Sequence, residues 1–195
     1  MVKIKDASIK EVENVVIQSK KAKHALRVWA ICEEIAKELN KYSESISVDI
    51  DILCKGALLH DIGKVFFMND DYHHLASAAI IEKLFDCTSE QGDREFTRKL
   101  QSIILSHKGD FKPDSDVAVE AAILRMADKI DKYNKSTPKK AKHAYKKSAE
   151  IIRIYFRLNS REGDLKKMEA ACEKIYMKAK EKANGKSIGD CSFRC

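Results

Sequence analysis

Residues 19–39, SKKAKHALRVWAICEEIAKEL, place apolar side chains at 25, 26, 28, 29, 32, 35, 36 and 39. That is the 3.6-residue rhythm of a helix with one buried face. Related rhythms predict helices over 48–63, over 75–85 (LASAAIIEKLF), over 94–107 and over 117–133. Little interrupts them: the 195 residues hold seven glycines and two prolines, Pro113 and Pro138. With so few turn-forming residues the chain is constrained to an all-α fold, a helical bundle.

Breaks fall at NKYSES, at NDDYHH (where Asp70 or Asp71 suits a helix N-cap), at TSEQGD and at KGDFKPDSD. Residues 134–138 read as a hinge, and two amphipathic helices divided near 160–163 follow it. The expected organisation is a helical domain over 1–137, a basic helical extension over 138–185 and a loose tail over 186–195. Charge follows the same division. Residues 1–137 carry 21 Lys and Arg against 23 Asp and Glu, whereas residues 138–195 carry 16 against 7, a net of +9. The basic pI of the chain therefore belongs to its last third.

Hydrophobic residues at 44% and charged residues at 34% exclude a disordered chain. No run reaches the 18 apolar residues of a membrane helix, and MVKIKDASIKEVENVV has no signal-peptide core, so a cytoplasmic protein without membrane partners is expected. Among the six cysteines there is no Cys-x-x-Cys pair; Cys32 and Cys54 read as reduced core residues, and Cys191 and Cys195 as part of the tail.

Within GALLHDIGKVFF (56–67) an apolar run carries His60 and Asp61 side by side. Buried polar groups cost stability unless they are satisfied. The other helices repeat the oddity: His24 lies in the first core helix, His74 opens the third, His107 closes the fourth and Asp128 sits in the fifth. Leu53, Ala57, His60 and Lys64 share one stripe, as do Ala121, Leu124, Arg125 and Asp128. Any one such histidine is ordinarily a core or surface residue. Together they suit a divalent metal, for which imidazole nitrogen and carboxylate oxygen are apt ligands.

These stretches resemble the HD-domain phosphohydrolase superfamily, an all-α family named for its His-Asp doublet. The resemblance runs over about 20–133 and rests on AKHALRVWAICEEIA, GALLHDIGK, HLASAAIIEKL, ILSHKGD and ILRMADKID. It implies metal ligands at His24, His60, Asp61 and Asp128. Subfamilies with two further histidines, here His74 and His107, hold two ions bridged by the doublet Asp61. His73 is set aside in this reading, because only His74 stands four residues before the small pair Ala78-Ala79.

The resemblance implies one or two divalent ions (Fe, Mn, Ni, Mg or Zn), Asp61 and Lys64 as catalytic groups, and Lys64 and Lys108 as contacts for phosphate. Among two-metal branches the chain is most similar to the short hydrolases of diadenosine tetraphosphate. HKGDFKP lacks the Gly-Tyr-Pro segment of the cyclic-dinucleotide phosphodiesterases.

The expected activity is hydrolysis of a phosphate ester or anhydride in a nucleotide or small phosphorylated metabolite. The extension would pack on the core or form a homodimer contact. The alternative is a nucleic-acid-associated protein, RNA-binding or an RNase, that uses its basic third to attract a polyanion.

Overall fold

A computed structural model describes residues 9–42, 47–67, 71–85, 91–108 and 112–131, with a few isolated helical positions between 143 and 177. The expected extension and tail, with Cys191 and Cys195, otherwise lie outside the described residues. The elements are α1 (Ile9–Gln18), α2 (Ala22–Tyr42), α3 (Ile50–Leu59), α4 (Gly63–Phe66), α5 (His73–Phe85), α6 (Gln91–Ser106), a 3-10 turn (Ser115–Val117) and α7 (Ala118–Asp131). No strand occurs among the described residues. The fold is all-α, and none of its described helices is long and apolar enough to cross a membrane.

The core is the sum of the apolar stripes. Val28, Cys32, Ile35 and Ala36 of α2 meet Ile52, Leu53, Leu58 and Leu59 of α3, Leu100, Ile103 and Ile104 of α6, and Ile123, Leu124 and Ala127 of α7 in one cluster. Each fully buried Leu or Ile contributes roughly 1.5–3 kcal/mol relative to exposure, so α3, buried on nearly every side, anchors the bundle. Cys32 and Cys54 are buried free thiols. Burial pushes the Cys54 thiol up to about 12 and holds the Cys32 thiol well above its ordinary value, which keeps both inert.

Two departures from the sequence reading matter. Helix α1 has no counterpart in it, yet Val12 and Val16 reach the core from one short amphipathic face. The helix expected over 48–63 divides at residues 60–62: amides of Ile62, Lys64 and Val65 bond the carbonyls three residues back, at Leu59, Asp61 and Ile62. This tightened turn lets His60 and Asp61, neighbours in sequence, both face the interior.

The start of α3 is fixed from three directions. Asn40 of α2 both donates to and accepts from the Val48 backbone. The Asp49 carboxylate accepts from the Ile52 amide as an N-cap, and the Glu120 carboxylate of α7 accepts from the Asp49 amide. Burial holds the Glu120 carboxyl above its ordinary value, against the lowering effect of the Asp49 amide. A raised carboxyl takes up its proton more readily folded than unfolded, so this group lowers stability as pH rises from about 4.5 through the folded value. Glu120→Gln retains an acceptor without the charge. Denaturant titrations should find it at least as stable as the parent at pH 7, with the difference vanishing near pH 4.

Candidate metal centre

Four helices and one turn deliver the polar residues to one buried point. His24 stands in the first turn of α2, one turn ahead of buried Val28. His60 and Asp61 occupy the turn after α3, His73 and His74 open α5, His107 follows α6 and Asp128 lies on the buried face of α7. His60 and Asp128 are 0% exposed, which for a carboxylate demands a compensating charge or hydrogen bonds.

The hydrogen bonds assign the imidazole protons. His60 Nδ1 lies 2.8 Å from the Ala57 carbonyl, which can only accept, so Nδ1 carries a proton and Nε2 is the nitrogen turned toward the cluster. His107 Nδ1 donates in the same way to the Ile104 carbonyl. Burial, reinforced by the nearby His60, holds the His107 ring well below its ordinary pKa and therefore neutral. His24 Nδ1 lies 2.7 Å from Asp131 Oδ2. Burial alone would raise the Asp131 carboxyl, but hydrogen bonds from His24 and Arg27 outweigh it and hold it below the usual range, so Asp131 accepts.

Three histidines thus fix Nδ1 on a protein oxygen and turn Nε2 inward. His60 Nε2, buried and without a hydrogen bond, lies 3.5 Å from Asp128 Oδ1 and 3.7 Å from Asp61 Oδ1. His24 Nε2 lies 3.2 Å from Asp128 Oδ1 and 3.6 Å from Asp61 Oδ2. Imidazole nitrogens and carboxylate oxygens buried this close together repel until a proton or a metal cation lies between them. The donor set, imidazole nitrogens and carboxylate oxygens with their outer nitrogens tied down, fits a divalent transition metal. Two groups of donors gather closely enough to share an ion: His24, His60 and Asp128, and His60, Asp61 and His107.

The structure sets His73, which the sequence reading put aside, nearer to this second group than His74. Its Nε2 lies 3.1 Å from Asp61 Oδ1 and 3.1 Å from His107 Nε2, facing the second group. The His74 ring stands farther out, 6.3 Å from His107 between ring centroids. The reason is Ser77, one turn after His73. Its hydroxyl meets the carbonyls of His60 and His73 at 2.8 Å each and accepts from the Gly63 amide at 2.9 Å, so the face of α5 set against the His60–Gly63 turn contains residues 73 and 77. Ser77 thus stands to His73 as Ala78 stands to His74, four residues on. His73→Ala should therefore weaken Mn²⁺ binding by at least about tenfold, and His74→Ala by much less, in calorimetric titrations of the two variants.

The remaining candidates lie at the edge of the cluster. Lys64 Nζ is 2.9 Å from Asp61 Oδ2 and its side chain is 10% exposed. Lys108, a third exposed, donates to the Asp71 carbonyl. Arg125 Nη1 points to the Ser106 carbonyl at 3.5 Å. Residues to which the sequence reading gives no role are Asp131 and Arg27, behind His24, and the Ser77 hub.

The chain matches the HD domain family model over residues 22–133, more than half its length. No curated protein and no solved structure matches it. That span begins two residues before His24 and ends two residues after Asp131, enclosing the whole cluster; the chain belongs to the HD domain family, which is typified by metal-dependent phosphohydrolases.

Proposed function

We infer that the chain is a metal-dependent phosphohydrolase cleaving a phosphate ester or anhydride of a nucleotide or small phosphorylated metabolite. The observation that carries this reading is the inward convergence of the His24, His60 and His107 Nε2 atoms on Asp61 and Asp128. Residues His24, His60, Asp61 and Asp128 would hold one divalent ion, and Asp61, His73 and His107 a second. Such ions supply Lewis acidity toward a phosphoryl oxygen and acidify water enough for it to attack at neutral pH.

The protein's own groups do the rest. Asp61 directs Oδ1 toward His73 and His107 and Oδ2 toward His24 and Lys64, so one carboxylate links both halves of the cluster. Lys64, held on Asp61, offers a fixed positive charge to a phosphate oxygen or the leaving group. Lys108, beyond His107, is the outer phosphate contact. Within the superfamily the short layout and the single histidine before the 108–116 loop favour a substrate like that of the diadenosine tetraphosphate hydrolases. The extension over 138–185 would cover the bundle or pair two copies of the chain.

The test is a screen of phosphate esters and anhydrides, dinucleoside tetraphosphates among them, with Mn²⁺, Fe²⁺ and Ni²⁺. Metal-dependent release of phosphate or nucleotide is expected, and no turnover with any metal rejects the reading. The RNA-directed alternative rests on the +9 charge of residues 138–195 alone, and salt-sensitive RNA binding is its test.

A further inference from the structure

Behind His24 stands a second carboxylate that the metal reading leaves unused. Asp131 lies one turn beyond Asp128 on α7 and is only 7% exposed in its side chain. Its Oδ2 accepts from His24 Nδ1 at 2.7 Å, and the fork of Arg27 embraces the carboxylate, Nε on Oδ1 at 2.5 Å and Nη2 on Oδ2 at 2.9 Å. Arg27 lies one turn after His24 on the same helix, so α2 supplies both partners of Asp131. A two-point guanidinium contact fixes the plane of the carboxylate as well as its position. With the plane fixed, the oxygen facing His24 has one direction.

We propose that Asp131, clamped by Arg27, is a positioning residue that sets the tautomer and aim of His24, so that Nε2 presents its lone pair toward Asp61 and Asp128. This rests on the metal reading of the cluster. Its physical content is that an acceptor at Nδ1 puts the ring proton there, and a carboxylate acceptor makes Nε2 more basic than a carbonyl would. His60 and His107 lean on backbone carbonyls, so His24 is the histidine among these three whose electronics are set by a charged group.

Asp131→Asn exposes the role. Arg27 donates to both oxygens of Asp131, so in asparagine it competes for the single remaining carbonyl oxygen. The amide NH₂ then turns to His24 and favours Nδ1 as an acceptor, with the proton moved to Nε2. Two measurements decide the matter. Nitrogen-15 spectra of the metal-free chain should show His24 protonated at Nδ1, and the Nε2-protonated form gaining in Asp131→Asn. Calorimetric titration with Mn²⁺ should show affinity falling 10–100-fold in that variant, the usual cost of losing an outer partner of a ligand histidine. Arg27→Lys, at a half-exposed position where the positive charge is kept, should lose affinity several-fold and serves as the deciding variant if Asp131→Asn does not fold.

An unchanged His24 tautomer together with parental affinity in the variants overturns the proposal while leaving the metal centre standing. Failure of the unaltered chain to bind Mn²⁺ overturns the metal reading and the proposal with it. A purely structural Asp131 would lower the melting temperature without moving the proton on His24, and that result also overturns it.

Discussion

Asp61→Asn is expected to reduce metal-dependent phosphate release by at least about 100-fold, the upper end of what changes one shell farther out cost. Asp61 is the carboxylate that reaches both halves of the cluster, with His73 at 3.1 Å on one oxygen and Lys64 at 2.9 Å on the other, while His24 lies 3.6 Å from that second oxygen. Asparagine keeps the volume and one acceptor oxygen but loses the charge that attracts cations, and it sets an NH₂ against imidazole lone pairs or Lys64. Metal content should fall with activity, because the same atoms serve both. Phosphate-release assays at saturating Mn²⁺, with metal analysis of the same samples, check it; full activity in the variant would remove Asp61 from the chemistry.

Gly63→Ala should be strongly damaging. A Cβ at this position would lie 2.4 Å from the His73 carbonyl oxygen, 2.9 Å from the Ala76 Cβ and 2.9 Å from the Ser77 amide nitrogen. Two of these are backbone atoms in the first turns of α5, so no side-chain rotation relieves the clash and the helices must separate. Overpacking of this kind costs about 1–3 kcal/mol or more. Moving α5 also carries His73 away from Asp61 and breaks the Gly63–Ser77 hydrogen bond. Gly56→Ala is the control. Its Cβ would meet the Ile103 side chain at 3.1 Å, and the gain of up to about 1 kcal/mol in helix propensity offsets that contact. Chemical denaturation and metal titration of both variants should therefore find Gly63→Ala unstable and weak in metal binding, and Gly56→Ala close to the parent.

This contrast shows how far the residues alone reveal the molecule. The all-α class was legible because apolar periodicity acts through single helices, and the stripes of α2, α3, α6 and α7 are the core. The placing of His24, His60, His107 and Asp128 on those stripes was legible for the same reason. The distinction between His73 and His74 was not, because both lie on the inward side of α5 and both are buried. The choice is made by Ser77, whose hydroxyl bonds backbone groups of the His60–Gly63 turn in a different part of the sequence. Spacing to Ala78-Ala79 points to His74, whereas the packing at Ser77 sets His73 nearer to Asp61.

Among its described residues helix α1 buries only Val12 and Val16, a face too narrow to stand out among its charged neighbours. Asp131 escaped for another reason. In DKID it reads as one more charged residue at a helix end, and only the meeting of α2 with α7 places it behind His24.

The central claim is that the inward-facing nitrogens and carboxylates hold metal. The most direct measurement is the transition-metal content of the full chain, purified without chelator, reconstituted with Mn²⁺ and freed of unbound ion. The account predicts about two ions per chain, one for each of the two donor groups that meet at His60 and Asp61. A chain that folds and retains no metal would contradict it.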